Sequence, residues 1–438
     1  MLVERIFLGR PANYAIIAVR LNGSFSTSQF IEVLSKLRKK HPLLGTRVIF
    51  DLNNYAWLTN EGVPEIPVVE MKLTKEDQWI DIVKKEHKHI FHLKQGPLIR
   101  FTLLKDTNSI DLIVNCHHSI CDGLSLAYLI RDILVHLTNP NEEIEPILNA
   151  APLNKKSIPF KAKRSILMAL LIKTINRFWK KNEIRFSQND YQNLTKVFWD
   201  KNSCEIIAWQ LNGSQTSKLI KGCKEEGVTV NTALVTAFLT AQTKILNYNS
   251  TNHMRVHMPI NIRNRLRDPV GETFGFYAQA LILNLDFTLN KLFWELSRYF
   301  NNIITTETKK ENTIFNLFKV AKLDPSLLDS TYYHKYGIFN NKWSARLLKG
   351  MGAHNFIADL SITNIGKLNF PANYGNLSIE ALYGPSVYSD LLNFIVGVAT
   401  IGDKMNLIIT FDDKIISEDN VLKIKKCFMV LLGKLCNW

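Results

Sequence analysis

The chain has no cysteine pair with two residues between its members: Cys116, Cys121, Cys204, Cys223, Cys427 and Cys436 are scattered through 438 residues. That spacing builds neither a disulfide framework nor a zinc knuckle. Cys116 and Cys121 are expected to be small buried residues rather than nucleophiles. No signal-peptide pattern is read in the first residues, which Glu4, Arg5 and Arg10 interrupt, and a cytoplasmic location is expected. The apolar run Ile166 to Ile172 has seven residues, too few to span a bilayer. Fixed-period repeats, low-complexity tracts and aromatic-interleaved basic motifs are absent, which speaks against a solenoid and against a nucleic-acid partner. Acidic residues are in deficit, 39 against 54 Lys and Arg, for a net charge of +15.

What is present centres on Asn115 to Gly123. Ile110 to Cys116 is a nearly continuous apolar run, as in a strand covered on both faces. After it, Leu126, Leu129, Ile130, Ile133, Leu134 and Leu137 recur at helical spacing. His117, His118 and Asp122 thus fall on a strand-to-helix connection, where rigid elements hold side chains toward a cleft. A neutral imidazole takes a proton near neutral pH, and a carboxylate four residues on can orient the loop. Gly123 lets the backbone approach closely, and its amide could face a developing negative charge.

His117-His118-Ser119-Ile120-Cys121-Asp122-Gly123 resembles the HHxxxDG motif of the condensation-like, coenzyme A-dependent acyltransferases. His41-Pro42-Leu43-Leu44 with Arg47, and Gly96-Pro97-Leu98-Ile99-Arg100, resemble the "HPxLR" and "GPLxR" stretches of that superfamily. Met258 to Arg263, Gly271 with Phe274-Gly275, and Ser361 to Gly366 resemble its "PxNxR", glycine-loop and "SNxG" segments in the same order. The last departs from the pattern in having two residues between Ser361 and Asn364, and the "DFGWG" signature of the plant branch is absent. The resemblance implies two chloramphenicol-acetyltransferase-like mixed α/β lobes, forming a V-shaped pseudo-dimer with a tunnel between them.

Three segments are expected: an N-terminal acyltransferase lobe over 1–150, a basic linker with an amphipathic helix over 151–203, and a C-terminal acyltransferase lobe over 204–438. Between Lys155 and Lys201, 12 basic residues face Glu183, Asp190 and Asp200. The part from Lys161 to Asn182 reads as a basic helix. It suits peripheral contact with an anionic membrane, an acidic carrier protein or the phosphates of coenzyme A, and equally a helix whose apolar stripe packs on the body. Helices are expected from Ser26 to Lys40, from Thr74 to Ile90 with a Thr74 cap, from Ser214 to Glu226 and from Thr288 to Thr308. Phe394 to Phe411, turning at Gly402-Asp403, is the best hairpin signal.

The resemblance assigns His118 as the general base that takes the acceptor's proton as it attacks an acyl thioester, with no covalent acyl-enzyme. Asp122 and His117 complete the catalytic set. Asp122 is expected to orient the loop by pairing with Arg263, and His117 chiefly to pack or hydrogen-bond. Arg263 and Gly123 are structural supports, and Asn261, Ser361, Thr363 and Asn364 line the tunnel. No metal or bound cofactor is expected; acyl-coenzyme A or an acyl carrier protein enters as co-substrate. His87, His89 and His92 read as a solvated helix edge, and His253 and His257 as neighbours on one strand face. The expected function is a stand-alone acyltransferase of secondary metabolism, moving an acyl group to a hydroxyl or amine, lipid-like alcohols included. The alternative is a non-catalytic module that binds a carrier protein or small ligand.

Overall fold

The computed structural model describes residues 4–52, 54–145, 153, 156–159, 166–180, 184, 186–247, 251–315, 318, 322–350 and 356–438. Strands β1 (Tyr14–Asn22), β2 (Arg47–Phe50), β3 (Ala56–Thr59), β4 (Val68–Lys72), β5 (Ile99–Lys105) and β6 (Ser109–His117) come from the first half. The second half contributes β7 (Glu205–Leu211), β8 (Thr251–Asn261), β9 (Ala278–Thr288) and β10 (Leu360–Lys367). Then follow β11 (Asn373–Tyr374), β12 (Leu377–Ser386), β13 (Phe394–Ile401) and β14 (Lys404–Phe411). Helices are α1 (Thr27–Lys40), α2 (Gln78–Lys88), α3 (Gly123–Thr138), α4 (Ile166–Trp179), α5 (Gln188–Lys201) and α6 (Gly213–Glu225). They continue with α7 (Val230–Ile245), α8 (Phe293–Thr308), α9 (Glu311–Ile314), α10 (Pro325–Lys335), α11 (Lys342–Gly350) and α12 (Glu418–Cys436).

Two six-stranded mixed sheets make two lobes. The first has the order β11-β12-β1-β6-β5-β4, with β4 parallel to β5. The second runs β7-β14-β13-β10-β8-β9, with β10 parallel to β13 and to β8. β6 is buried from Ile110 to His117, which explains its nearly continuous apolar pattern. Its one charge, Asp111, is held by the Arg20 guanidinium at 2.8 and 2.9 Å. α1 begins with a capping box between Ser26 and Gln29 and buries Phe30, Val33, Leu34 and Leu37, one stripe at helical spacing.

The boundary expected between 150 and 204 does not foresee an exchange between the lobes. β11 and β12, from the second half of the chain, complete the first sheet, with β12 antiparallel to β1. That pairing spans most of the chain, so no local pattern announces it.

Several element ends differ from the sequence reading. α2 starts at Gln78 with Asp77 as N-cap, because Thr74 instead donates its N–H to Gln78 Oε1 at 2.7 Å. Asn212, not Ser214, caps α6, and α8 starts at Phe293. His87 is a clear correction: it is fully buried and bonds Ser386 Oγ at 2.9 Å instead of facing solvent, because it extends the Trp79–Val83 face of α2. Burial holds it near pKa 3. The parts of the basic helix at 161–165 and 181–182 lie outside the described residues.

Candidate active site

β6 delivers His117 and α3 receives Gly123, so residues 118–122 form the connection. The His118 N–H donates to the Asn13 carbonyl at 2.9 Å, which ties the connection to the residue before β1. On its ring, Nδ1 lies 2.7 Å from the Cys121 carbonyl oxygen. A carbonyl can only accept, so Nδ1 carries the proton and the neutral ring presents its lone pair at Nε2. Phe7 stacks on the ring at 4.9 Å and 23°, and Phe276 meets it edge-on at 5.2 Å and 88°. Burial alone would depress the imidazole; the hydrogen bond to Cys121 and the negative charge of Asp122 outweigh it and hold His118 above the ordinary histidine value.

His117 is arranged oppositely. Its Nδ1 accepts from the Ser119 N–H at 3.2 Å and lies 2.8 Å from Ser119 Oγ. Tyr14 and Phe91 pack on the ring at 5.8 and 6.0 Å. Burial, helped by the neighbouring His118, holds it near pKa 3, so it stays neutral. The Cys121 thiol is also buried, and burial pushes it well up.

Asp122 is the N-cap of α3, accepting from the Ser125 N–H at 2.9 Å. Arg263 grips it with both guanidinium nitrogens, Nη1 to Oδ2 at 2.8 Å and Nη2 to Oδ1 at 2.9 Å. The Tyr277 N–H donates to Oδ2 at 2.9 Å. Ser125 Oγ accepts from Arg263 Nη2 at 2.7 Å and from the Gly275 N–H at 3.0 Å, and donates to the Gly275 carbonyl at 2.6 Å. Burial would raise the Asp122 carboxyl, but Arg263 and the two amides outweigh it and keep it below the usual carboxylate value. The connection is thereby fixed to the segment 263–277 from the other half of the chain, as the predicted Asp122–Arg263 pairing requires.

The remaining sequence candidates divide. Asn261 Oδ1 accepts the Arg263 N–H at 3.0 Å. Gly123 is hemmed in: a methyl group there would stand 2.8 Å from Pro385 Cγ and 3.0 Å from Ile365 Cγ2. Ile365 follows Thr363 and Asn364 on β10, both half-buried, and Asn364 Oδ1 accepts the Gly366 N–H at 2.8 Å. Ser361 is buried, with its Oγ 2.8 Å from His257 Nδ1. Phe7, Phe276, Ser125 and the Cys121 carbonyl are contacts of the site that the sequence reading missed; Cys121 and Ser125 lie in or beside the His117–Gly123 motif, Phe276 lies beside Phe274-Gly275, and Phe7 had no nearby signal. A cavity of about 600 Å³ is lined by Arg5, Leu8, Phe50, Phe91, Tyr191 and Tyr333. None of the candidate site residues lines it.

Comparison with known proteins bears on the fold and the family. A linear gramicidin synthase polypeptide of Brevibacillus parabrevis is 24% identical over 300 residues, covering 64% of this chain and 6% of that protein. The chain thus spans a small part of that much longer relative. Among solved structures, a trichothecene 15-O-acetyltransferase from Fusarium sporotrichioides superposes with a TM-score of 0.66 at 13% identity, over 99% of this chain and 94% of that one. The epimerization domain from the third module of tyrocidine synthetase B superposes with a TM-score of 0.61 at 13% identity, over 99% and 93%. At such identities the likeness is one of fold, shared by proteins with different reactions in their names. The family model of the condensation domain, by contrast, matches residues 9–313, and the chain belongs to the condensation-domain family.

Proposed function

We propose that the chain is an acyltransferase that moves an acyl group from a thioester to a hydroxyl or amine acceptor, with His118 as general base. The observation that carries this reading is the Nδ1 bond of His118 to the Cys121 carbonyl, which leaves a basic lone pair at Nε2. Nε2 takes the acceptor's O–H or N–H proton as its heavy atom attacks the thioester carbonyl. The tetrahedral oxyanion then collapses, the C–S bond breaks, and the Nε2 proton passes to the leaving thiolate. No group on the protein is acylated. A positioned base of this kind contributes about 10² to 10⁴ in rate, and holding both substrates together supplies more.

The Asp122–Arg263 pair holds the loop rather than touching substrate, and Gly123 brings the amide end of α3 close to the reacting groups. Relatives that are peptide synthetases favour a carrier-bound donor, and an acetyltransferase of the same fold leaves coenzyme A as the other source. Segment 161–182 is proposed in turn as a point of peripheral contact with an anionic membrane, a property independent of this chemistry.

The test is acceptor-dependent thiol release from acyl-coenzyme A and acyl-carrier donors, comparing the native chain with His118→Ala. A loss of about 10²-fold or more in the variant is expected. Equal turnover by both proteins would remove His118 from catalysis.

A further inference from the structure

We propose that α4 and α11 together form a surface that docks in the plane of an anionic lipid membrane. This gives the contact suggested for segment 161–182 a defined face and adds a second helix to it. It stands independently of the acyltransfer reading.

α4 exposes Leu167 (81%), Leu170 (57%), Leu171 (53%), Phe178 (47%) and Met168 (42%). The helix cannot roll to bury them, because its other face is already anchored. Ile172 and Trp179 are buried, and Trp179 Nε1 donates to Ser326 Oγ on α10 at 2.7 Å. Asn176 donates to the Lys322 carbonyl at 2.9 Å and accepts the Asp324 N–H at 2.9 Å. A stripe packed on the body therefore accounts for part of the apolar pattern of α4 and leaves a larger part outside.

The exposed strip runs from Leu167 to Phe178, roughly 16 Å at the helical rise. At 100° per residue, Leu170, Leu167, Phe178 and Leu171 fan across one side, while Lys173 and Arg177 follow one edge of it. Toward the other edge, Phe178 stacks on Trp343 of α11 at 5.6 Å and 13°, which carries the apolar strip onto a second helix. There Arg346 covers the Trp343 ring at 5.3 Å, and Lys342, Arg346 and Lys349 are exposed. Neither helix contains an aspartate or glutamate.

An apolar strip with cations along both edges and no acid on either helix fits one kind of occupant. Acyl chains at the headgroup boundary take up the leucines and Phe178, and lipid phosphates and carboxylates meet the lysines and arginines. An acidic protein would match the cations but would leave the breadth of exposed leucines without a purpose. The seven-residue apolar run is too short to cross a bilayer and is suited to lying in one.

The experiment is sedimentation of the full chain with vesicles of phosphatidylcholine alone and of phosphatidylcholine mixed with phosphatidylserine, at low and high salt. Binding to the mixed vesicles should exceed binding to the neutral ones roughly tenfold and should weaken with salt. Leu167→Ser with Leu171→Ser, and separately Lys342→Gln with Arg346→Gln, should each reduce it roughly tenfold. All four positions are at the surface, so circular dichroism and melting temperature should stay at native values. Lys39→Gln with Lys426→Gln, exposed cations on other helices, serves as the charge control and should retain binding. Absence of vesicle binding, equal binding to both vesicles, or an equal loss in the control would overturn the proposal. So would capture of an acidic carrier protein through this face without lipid binding.

Discussion

The two adjacent histidines show how much a single hydrogen-bond partner decides. Both rings are buried; His118 bonds a carbonyl through Nδ1 and is raised above the ordinary value, whereas burial, helped by the neighbouring His118, pushes His117 down to about 3. Of the two, only His118 is held above the ordinary histidine value, while His117 stays neutral throughout the working pH range, so kcat/KM should show a single histidine limb. A general base works deprotonated, so the rate should rise as pH rises through the raised pKa of His118. Asp122→Asn removes a negative charge that helps raise it, and the limb should move to lower pH. The same change leaves the buried Arg263 guanidinium without its counter-charge, a loss of about 3–5 kcal/mol in stability. A pH–rate profile and a denaturant titration of the variant check both. An unmoved limb would show that the Asp122 charge does not reach His118. Nothing in local sequence could have shown that Phe7 stacks on His118, since an aromatic in an N-terminal turn carries no period and no motif.

At the level of elements, the β6–turn–α3 unit was legible because the apolar period changes from strand-like to helical within ten residues, and Asp122 is a natural cap. Arg263 was legible only through the resemblance of its own segment. The burial of His87 was not, because the His-Lys-His pattern hides its place on the Trp79–Val83 face. Least legible was the contact around Pro385, which joins residues that are remote in sequence. Its ring occupies the space where Gly123 would carry a side chain, and its carbonyl oxygen occupies that space at Gly397 on β13. The start of α3 and a central strand of the second sheet therefore both close on one proline of β12. Gly123→Ala should push this contact apart, with a loss of about 1–3 kcal/mol from overpacking and a fall in turnover larger than the stability loss explains. Thermal unfolding alongside kcat/KM measures both. A stable variant with native turnover would show that α3 need not approach so closely.

For the whole molecule, the exchange of β12 makes the lobes interdependent. β12 pairs with β1 in the first sheet, and its last residue, Ser386, lies between His87 Nε2 at 2.9 Å and Thr410 Oγ1 of β14 at 2.8 Å. All three are buried, so this is a polar chain from α2 of one lobe through β12 to the second sheet. Arg263 crosses to Asp122, and Arg5 reaches Asp329 at 2.9 and 2.6 Å. Separate cores would allow separate unfolding, but breaking any of these links leaves buried polar groups without partners. One cooperative transition is therefore expected, with far-ultraviolet circular dichroism and tryptophan fluorescence coinciding in denaturant. Ser386→Ala, which orphans the buried His87 Nε2, should shift both signals together by about 1–3 kcal/mol. Two separated transitions, or a shift in only one signal, would mean that β12 joins the sheets without coupling them. The site would then have to be held by the contacts of Asp122 and Ser125 with Arg263, Gly275 and Tyr277.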